Sequence, residues 1–469
     1  MRRNFVLAMA LKILLLGMLS LTLKVETVKA DGTIYIRANG EVEPLTAPIS
    51  SDDNITYTLT GNIDGAVVIE RSNIMIDGNG FIIQGDGDLD GVYLGSVDNV
   101  TIKNMTVALF DNGIHLSNSS GSRIAGNNIT NSAHQGILLQ NSSSISIFEN
   151  RIDYGGIDLS YSPNCSIWKN NVNYGGIPLF YSSYCNISEN IIDYGGSIGL
   201  LYSSYANITR NSGGIGLSGS SFCIISGNSG AISLDLSSQN VISDNNVTDG
   251  IKLFYSNFNV VDGNNITTQF LGVSCMRSVS NFFHHNNFVN NARPVFTDTS
   301  ANFWDDGLEG NYWSNYNGTD SDRDGIGDAK YAIDMNNQDN YPLMGMFSDF
   351  NATSEHYVQT ICNSSISDFQ FNGTAISFSV TGENGTEGFC RLCIPTALMN
   401  ATYTVFVNGT EVSYNLLPCS NETYSYVYFN YTHSTQEVII IPEFPSFPIL
   451  SLFMIATLLA VIVYKRKYR

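Results

Sequence analysis

Charge is scarce in this 469-residue chain, and positive charge is scarcer: charged side chains make up 14% of it, with 22 Lys and Arg against 42 Asp and Glu. Nine of those cations sit in the two terminal segments, which leaves the body with 13 cations facing 40 acidic groups. That balance excludes nucleic acid as a partner and favours cations or neutral glycans. Helical periodicity is lacking as well. The apolar residues come as short alternations such as Ile145-Ser-Ile147-Phe148, broken by Asn, Gly, Asp or Ser, which is the punctuation of strands. The chain is also too long for one ordinary core, so it forms either several domains or one elongated array.

What it does have is glycine, 42 of them, with abundant Asn and Ser, and a repeat. Asn150-Arg-Ile-Asp-Tyr-Gly-Gly, Asn170-Asn-Val-Asn-Tyr-Gly-Gly and Asn190-Ile-Ile-Asp-Tyr-Gly-Gly recur with a period of 20 residues. Related units continue through Asn211, Asn228, Asn245, Asn264 and Asn286, with looser copies around Asn79, Asn104 and Asn127. A unit of this length is too short for a strand plus a helix and fits two or three strands joined by tight turns. Stacked coils would lie ~4.8 Å apart, so equivalent side chains would form ladders. An inward Asn at a turn would bond to the backbone of neighbouring coils. Tyr154, Tyr174 and Tyr194, and a second set at Tyr161, Tyr181 and Tyr202, predict two aromatic stripes. The first stripe is a candidate carbohydrate-binding platform.

Both ends are hydrophobic. Arg2 and Arg3 precede an apolar stretch from Phe5 to Leu23 and a small-residue cleavage pattern ending at Ala30, which reads as a signal peptide over residues 1–30. Residues 447–464 are uncharged and long enough to span a bilayer, and the basic residues 465–469 follow at once. The expectation is a cell-surface protein anchored by its C-terminus, with the basic tail in the cytoplasm and the body outside. Sequons at Asn54, Asn104, Asn128, Asn186, Asn207, Asn265, Asn317, Asn372, Asn408 and Asn430 suit a glycosylated exterior.

The coils over roughly residues 60–345 resemble the right-handed parallel β-helix repeats of the NosD-type family, which overlaps the carbohydrate-binding and sugar hydrolysis domains. Asn302-Phe-Trp304-Asp305-Asp306-Gly307, Gly310-Asn311-Tyr312-Trp313-Ser314-Asn315-Tyr316 and Tyr341-Pro342-Leu343-Met344 resemble the C-terminal cap of archaeal NosD-like surface proteins. Pro442-Glu443-Phe444-Pro445-Ser446 resembles their PEF-type tail, which serves as an anchor or a processed sorting signal. The resemblance implies an all-β fold: a right-handed parallel β-helix over 31–300 with an irregular start, and a cap over 301–346. NosD itself is implicated in copper supply. That role does not carry over, because copper handling wants clustered Met, His or Cys, and the one His pair, His284-His285, would face opposite sides of a strand.

Several positions could carry chemistry. Asp320, Asp322, Asp324, Gly325 and Asp328 match positions 1, 3, 5, 6 and 9 of a calcium loop, although Tyr331 stands where the bidentate Glu belongs, so calcium is an expected structural cofactor. Catalysis on polysaccharide would need paired carboxylates. The candidates are Asp111, near His115, the ladder of Asp153 and Asp193 beside turns, and Asp305-Asp306, without the Gly-His-Gly and Arg-X-Lys signatures of pectin-hydrolase β-helices. Cys165 and Cys185 are one period apart, and Cys362, Cys390, Cys393 and Cys419 lie in the last domain; in an exported chain these six are disulfide candidates. Residues 350–441 alternate as in a small β-sandwich, with Asn408-Gly409 as a hairpin turn. The reading that follows is a non-catalytic surface protein, carbohydrate-binding or structural. A polysaccharide hydrolase, lyase or epimerase is the alternative, and copper handling stands behind both.

Overall fold

The structure is a computed structural model and describes residues 30–399 and 402–443. The expected signal peptide, short of its last residue, the expected anchor over 447–464 and the basic tail lie outside the described residues. Among the described residues there is no α-helix, and none long and apolar enough to cross a membrane. The chain forms two compact units, one of residues 30–186 and 190–196, the other of residues 187–189 and 197–443. Both carry coils of a right-handed parallel β-helix.

In the first unit each regular coil places one short strand on each of three sheets, which are parallel apart from an antiparallel pair at the start of two of them. A single coil runs Thr101–Lys103, Thr106–Ala108, Asn112–Ser117, and the next runs Arg123–Ala125, Asn128–Thr130, Gln135–Gln140. Strands form here because each has a β-branched or aliphatic residue flanked by polar ones, so one side chain points in and its neighbours point out. In-register pairing then stacks like on like. Ile76, Ile102, Ile124, Ile147 and Ile167 form one fully buried column. Burying each is worth roughly 1.5–3 kcal/mol, and a one-residue slip would turn the whole column outward.

Asparagine fills the buried corner as the repeat predicted. Asn170 Nδ2 donates to Ile147 O at 2.9 Å and to Asn190 Oδ1 at 3.0 Å, while its Oδ1 accepts from the N and Nδ2 of Asn150. A parallel serine column, Ser119, Ser142, Ser162 and Ser182, stitches another corner.

The second unit continues the theme with coils of varying length. Its asparagine column, Asn211, Asn228, Asn245, Asn264, Asn286 and Asn311, steps by 17 residues at first and by 25 at its end. Parallel pairing reaches Tyr312–Trp313 and bridges on to Leu343, within the segment expected as the C-terminal cap. Its signature residues have structural roles. Asn311 N and Trp313 Nε1 both donate to Asp339 Oδ2 at 2.8 Å, and Asn302 N and Trp304 Nε1 both donate to Asn337 Oδ1.

Two five-stranded antiparallel sheets follow, packed around Phe378, Leu392, Val405, Val427 and Ile440. The first strand, Met346–Asn351, begins a few residues earlier than expected and is pinned by reciprocal bonds between Phe347 and Asn287. The hairpin turns at Asn408 and Gly409, both with positive φ, between Tyr403–Val407 and Thr410–Val412.

Candidate functional site

The corners between strands need left-handed backbone, which Asn and Gly adopt readily and bulky residues do not. In the first unit, Asn131, Asn118 and Asn141 occupy such corners with positive φ. On the following coils the same corners hold Tyr154 and Tyr161, and then Tyr174 and Tyr181. Counting both units, eleven aromatic residues sit at positive φ, adding Tyr184, Tyr194, Tyr202, Tyr205, Phe222, Tyr255 and Phe258, and all are exposed. The rings of Tyr154, Tyr174 and Tyr194 stack at 4.8 and 4.2 Å, and Tyr161 stacks on Tyr181 at 5.2 Å. Ring faces are therefore occupied by one another, and the electropositive edges look outward.

The acidic candidates are distributed differently from the sequence expectation. His115 does not partner Asp111. Its Nδ1 meets Asp90 Oδ2 at 2.6 Å, and Asp111 instead pairs with His134. Asn112 Nδ2 bridges the two carboxylates, at 2.8 Å from Asp90 and 3.3 Å from Asp111. Asp90, 25 residues before His115, is one coil upstream, and coil counting could have found it. Despite burial, the bonds from His115 and Asn112 hold the Asp90 carboxyl below its usual range. Asp158 lies in register with Leu138, two coils on from His115, and burial raises its carboxyl. A cleft of about 310 Å³ lined by Gln84, Asp86, Leu89 and Phe110 adjoins the pair, since Asp111 N bonds to Leu89 O.

Asp305 and Asp306 are turn formers. Asp305 accepts from Gly307 N and from the N and Nδ2 of Asn340, and Asp306 Oδ1 accepts from the backbone of Leu308 and Glu309. In the acidic loop, Asp320, Asp322 and Asp324 bring oxygens within 4.8 Å of one another. Asp328 turns away to Thr319 and Ser321. The first three fit a hard cation, with Gly325 at φ +84 making the sharp turn; Asp328 does not reach it. Burial raises the carboxyls of Asp320 and Asp324.

His284 and His285 correct the expectation drawn from strand alternation. His285 has φ +56, so both imidazoles turn to Asp262 instead of facing apart. Nearby, burial and the neighbouring carboxylates raise Asp244, and raise Asp349 to about 6. All eight cysteines are thiols in this structure. Of the six disulfide candidates, Cys165 lies against Cys185, and Cys362 lies opposite Cys390 on paired strands. Cys393 and the exposed Cys419 flank Arg391.

A family described as periplasmic copper-binding protein (NosD) matches residues 154–318, and one described as right handed beta helix region matches residues 54–230. Among solved structures the chain is similar to the Dettilon tailspike protein, at 15% identity over 88% of this chain and 85% of that one, with a TM-score of 0.37. It is similar to the periplasmic alginate epimerase AlgG, at 14% identity over 59% and 83%, TM-score 0.30. It is also similar to the Streptococcus pneumoniae surface protein and adhesin PfbA, at 14% over 53% and 89%, TM-score 0.28. No curated protein matches its sequence at a significant level.

Proposed function

Because this chain belongs to the NosD-like right-handed parallel β-helix family, we propose that it is an exported surface protein that binds neutral polysaccharide along its aromatic corners without cleaving it. The observation that supports this reading is the set of eleven exposed aromatic residues in left-handed backbone. Such a conformation costs roughly 1–2 kcal/mol per residue, and a stacked ring pair returns roughly 0.5–1.5 kcal/mol. Folding thus gains little from tyrosine where Asn131 and Asn141 do the same work without strain. Ring edges and hydroxyls repeating at the coil spacing offer donors to the oxygens of a sugar chain lying along the axis. The acidic body favours a neutral chain over an anionic one. A calcium ion held by Asp320, Asp322 and Asp324 would stiffen the end of the coils, and chelation should then lower the melting temperature of the wild type but not of Asp322→Asn. The signal peptide and the C-terminal anchor complete the proposal of a body held outside the cell.

The two acid–imidazole pairs, Asp90–His115 and Asp111–His134, favour a second reading, in which the same chain acts on polysaccharide as an enzyme. One experiment separates the two. The full chain is incubated with a panel of neutral and acidic polysaccharides, and both retention and released or altered products are followed by mass spectrometry. Retention without products, lost in the triple variant Tyr154→Asn, Tyr174→Asn, Tyr194→Asn, is the expected result. Products that vanish in His115→Gln would replace binding with catalysis.

A further inference from the structure

We infer that Asp262, His284 and His285 form a binding site for one divalent cation of the zinc class. The fold builds the site from two adjacent coils. Val260–Asp262 pairs in parallel with Phe282–His284, and Asp262 is the register partner of His284, so their outward side chains stand one coil apart. His285 would point the other way on a continued strand, but its left-handed backbone swings its ring back to the same spot. Asp262 Oδ1 then lies 3.0 Å from one Nδ1 and 3.2 Å from the other, and the two Nδ1 atoms are 3.4 Å apart. Zinc–donor bonds of ~2.0–2.1 Å in tetrahedral geometry place donors about 3.3 Å from one another, so this triangle has the dimensions of one face of a zinc tetrahedron.

Two independent observations point the same way. Asp262 Oδ1 is buried, and although ring nitrogens of His284 and His285 lie 3.0 and 3.2 Å away, it has no aligned hydrogen-bond donor. His285 Nε2 is held by Glu309 Oε2 at 3.0 Å, and Glu309 is held in turn by Arg391 at 2.7 Å. A carboxylate on the far nitrogen places a proton there, which frees the Nδ1 lone pair to coordinate a metal, the usual support of a metal-bound imidazole. Asp244, on the preceding coil, and Asp349, on the strand Met346–Asn351, add negative charge around the cluster, which a dication would offset. Imidazole and carboxylate without thiolate or thioether suit zinc-class ions and not Cu(I). His284 and Asp262 retain some exposure, so an ion can enter from solvent.

The test uses full-length protein stripped with chelator and supplied with excess Ca²⁺ to saturate hard-oxygen sites. Titration with Zn²⁺ by calorimetry is expected to give one site per chain, and Co²⁺ is expected to give the intense visible bands of a tetrahedral site. Asp262→Asn and His284→Gln should each weaken Zn²⁺ by at least about tenfold, while Asp322→Asn leaves it unchanged. His284 is partly exposed, so His284→Gln should keep the wild-type circular dichroism and melting curve. The proposal is overturned if the wild type shows no saturable Zn²⁺ binding, or if folded Asp262→Asn and His284→Gln bind as the wild type does. In the first case the cluster is an ion-pair network only.

Discussion

Asn150, Asn170 and Asn190 and the trio Tyr154, Tyr174 and Tyr194 repeat with the same 20-residue period, four residues apart on the same coils. The asparagines are at most 2% exposed and every polar atom of Asn170 is bonded. The tyrosines are at least 50% exposed and hold strained backbone. The difference teaches that periodicity alone does not tell an obligation of the fold from a feature of its surface. An obligation satisfies buried groups that nothing else reaches, whereas a surface feature occupies a corner that a cheaper residue could turn.

The largest effect should come from Asn170→Ala. It removes the acceptor of Asn150 N and the side-chain donor to Ile147 O in the interior, while Asn190 Oδ1 keeps the backbone N of residue 170. Leaving a buried group unpaired costs ~1–3 kcal/mol, so a loss of about 4 kcal/mol in unfolding free energy is expected from urea titration. Next is the end of the column, where a carboxylate replaces the amide. Burial pushes Asp339 up to about 7, well above its unfolded value near 3.9. The folded state therefore binds the extra proton between those values, and this group's contribution is fully favourable below about pH 4 and declines as pH rises to about 7. The slope should approach about 1 kcal/mol per pH unit, and Asp339→Asn should remove it in melts compared across that range. The smallest effect is expected from Tyr174→Asn, within about 0.5 kcal/mol of the wild type because relief of strain offsets the lost stacking. A loss as large as that of Asn170→Ala would break the comparison and make the tyrosines part of the scaffold.

The coils were legible in the sequence because their code is local: an aliphatic residue every second position, Asn at a fixed place, and Asn408-Gly409 between apolar runs. The sites were less legible because they join residues on different coils, and coil length varies from 17 to 25 residues. Asp111 is near His115 in the chain, whereas the partner of His115, Asp90, is one coil away. The reading of His284 and His285 failed for another reason: alternation holds only while the strand lasts, and the strand ends at His284. Asp305 and Asp306 were visible as a pair, but pairing in sequence carried no information about which backbone groups they cap.

The amide columns have a sense as well as a position. In every link of the second unit's column, from Asn211 to Asn311, the Nδ2 of the earlier residue donates to the Oδ1 of the later one. The side-chain dipoles are thus aligned head to tail, as peptide dipoles are in a helix, and each link polarises the next. The positive end points towards the last coil, where Asp339 is buried. A single reversed amide would set carbonyl against carbonyl, so each coil inherits its polarity from its neighbour, and the column acts as a vector that terminates on an acid.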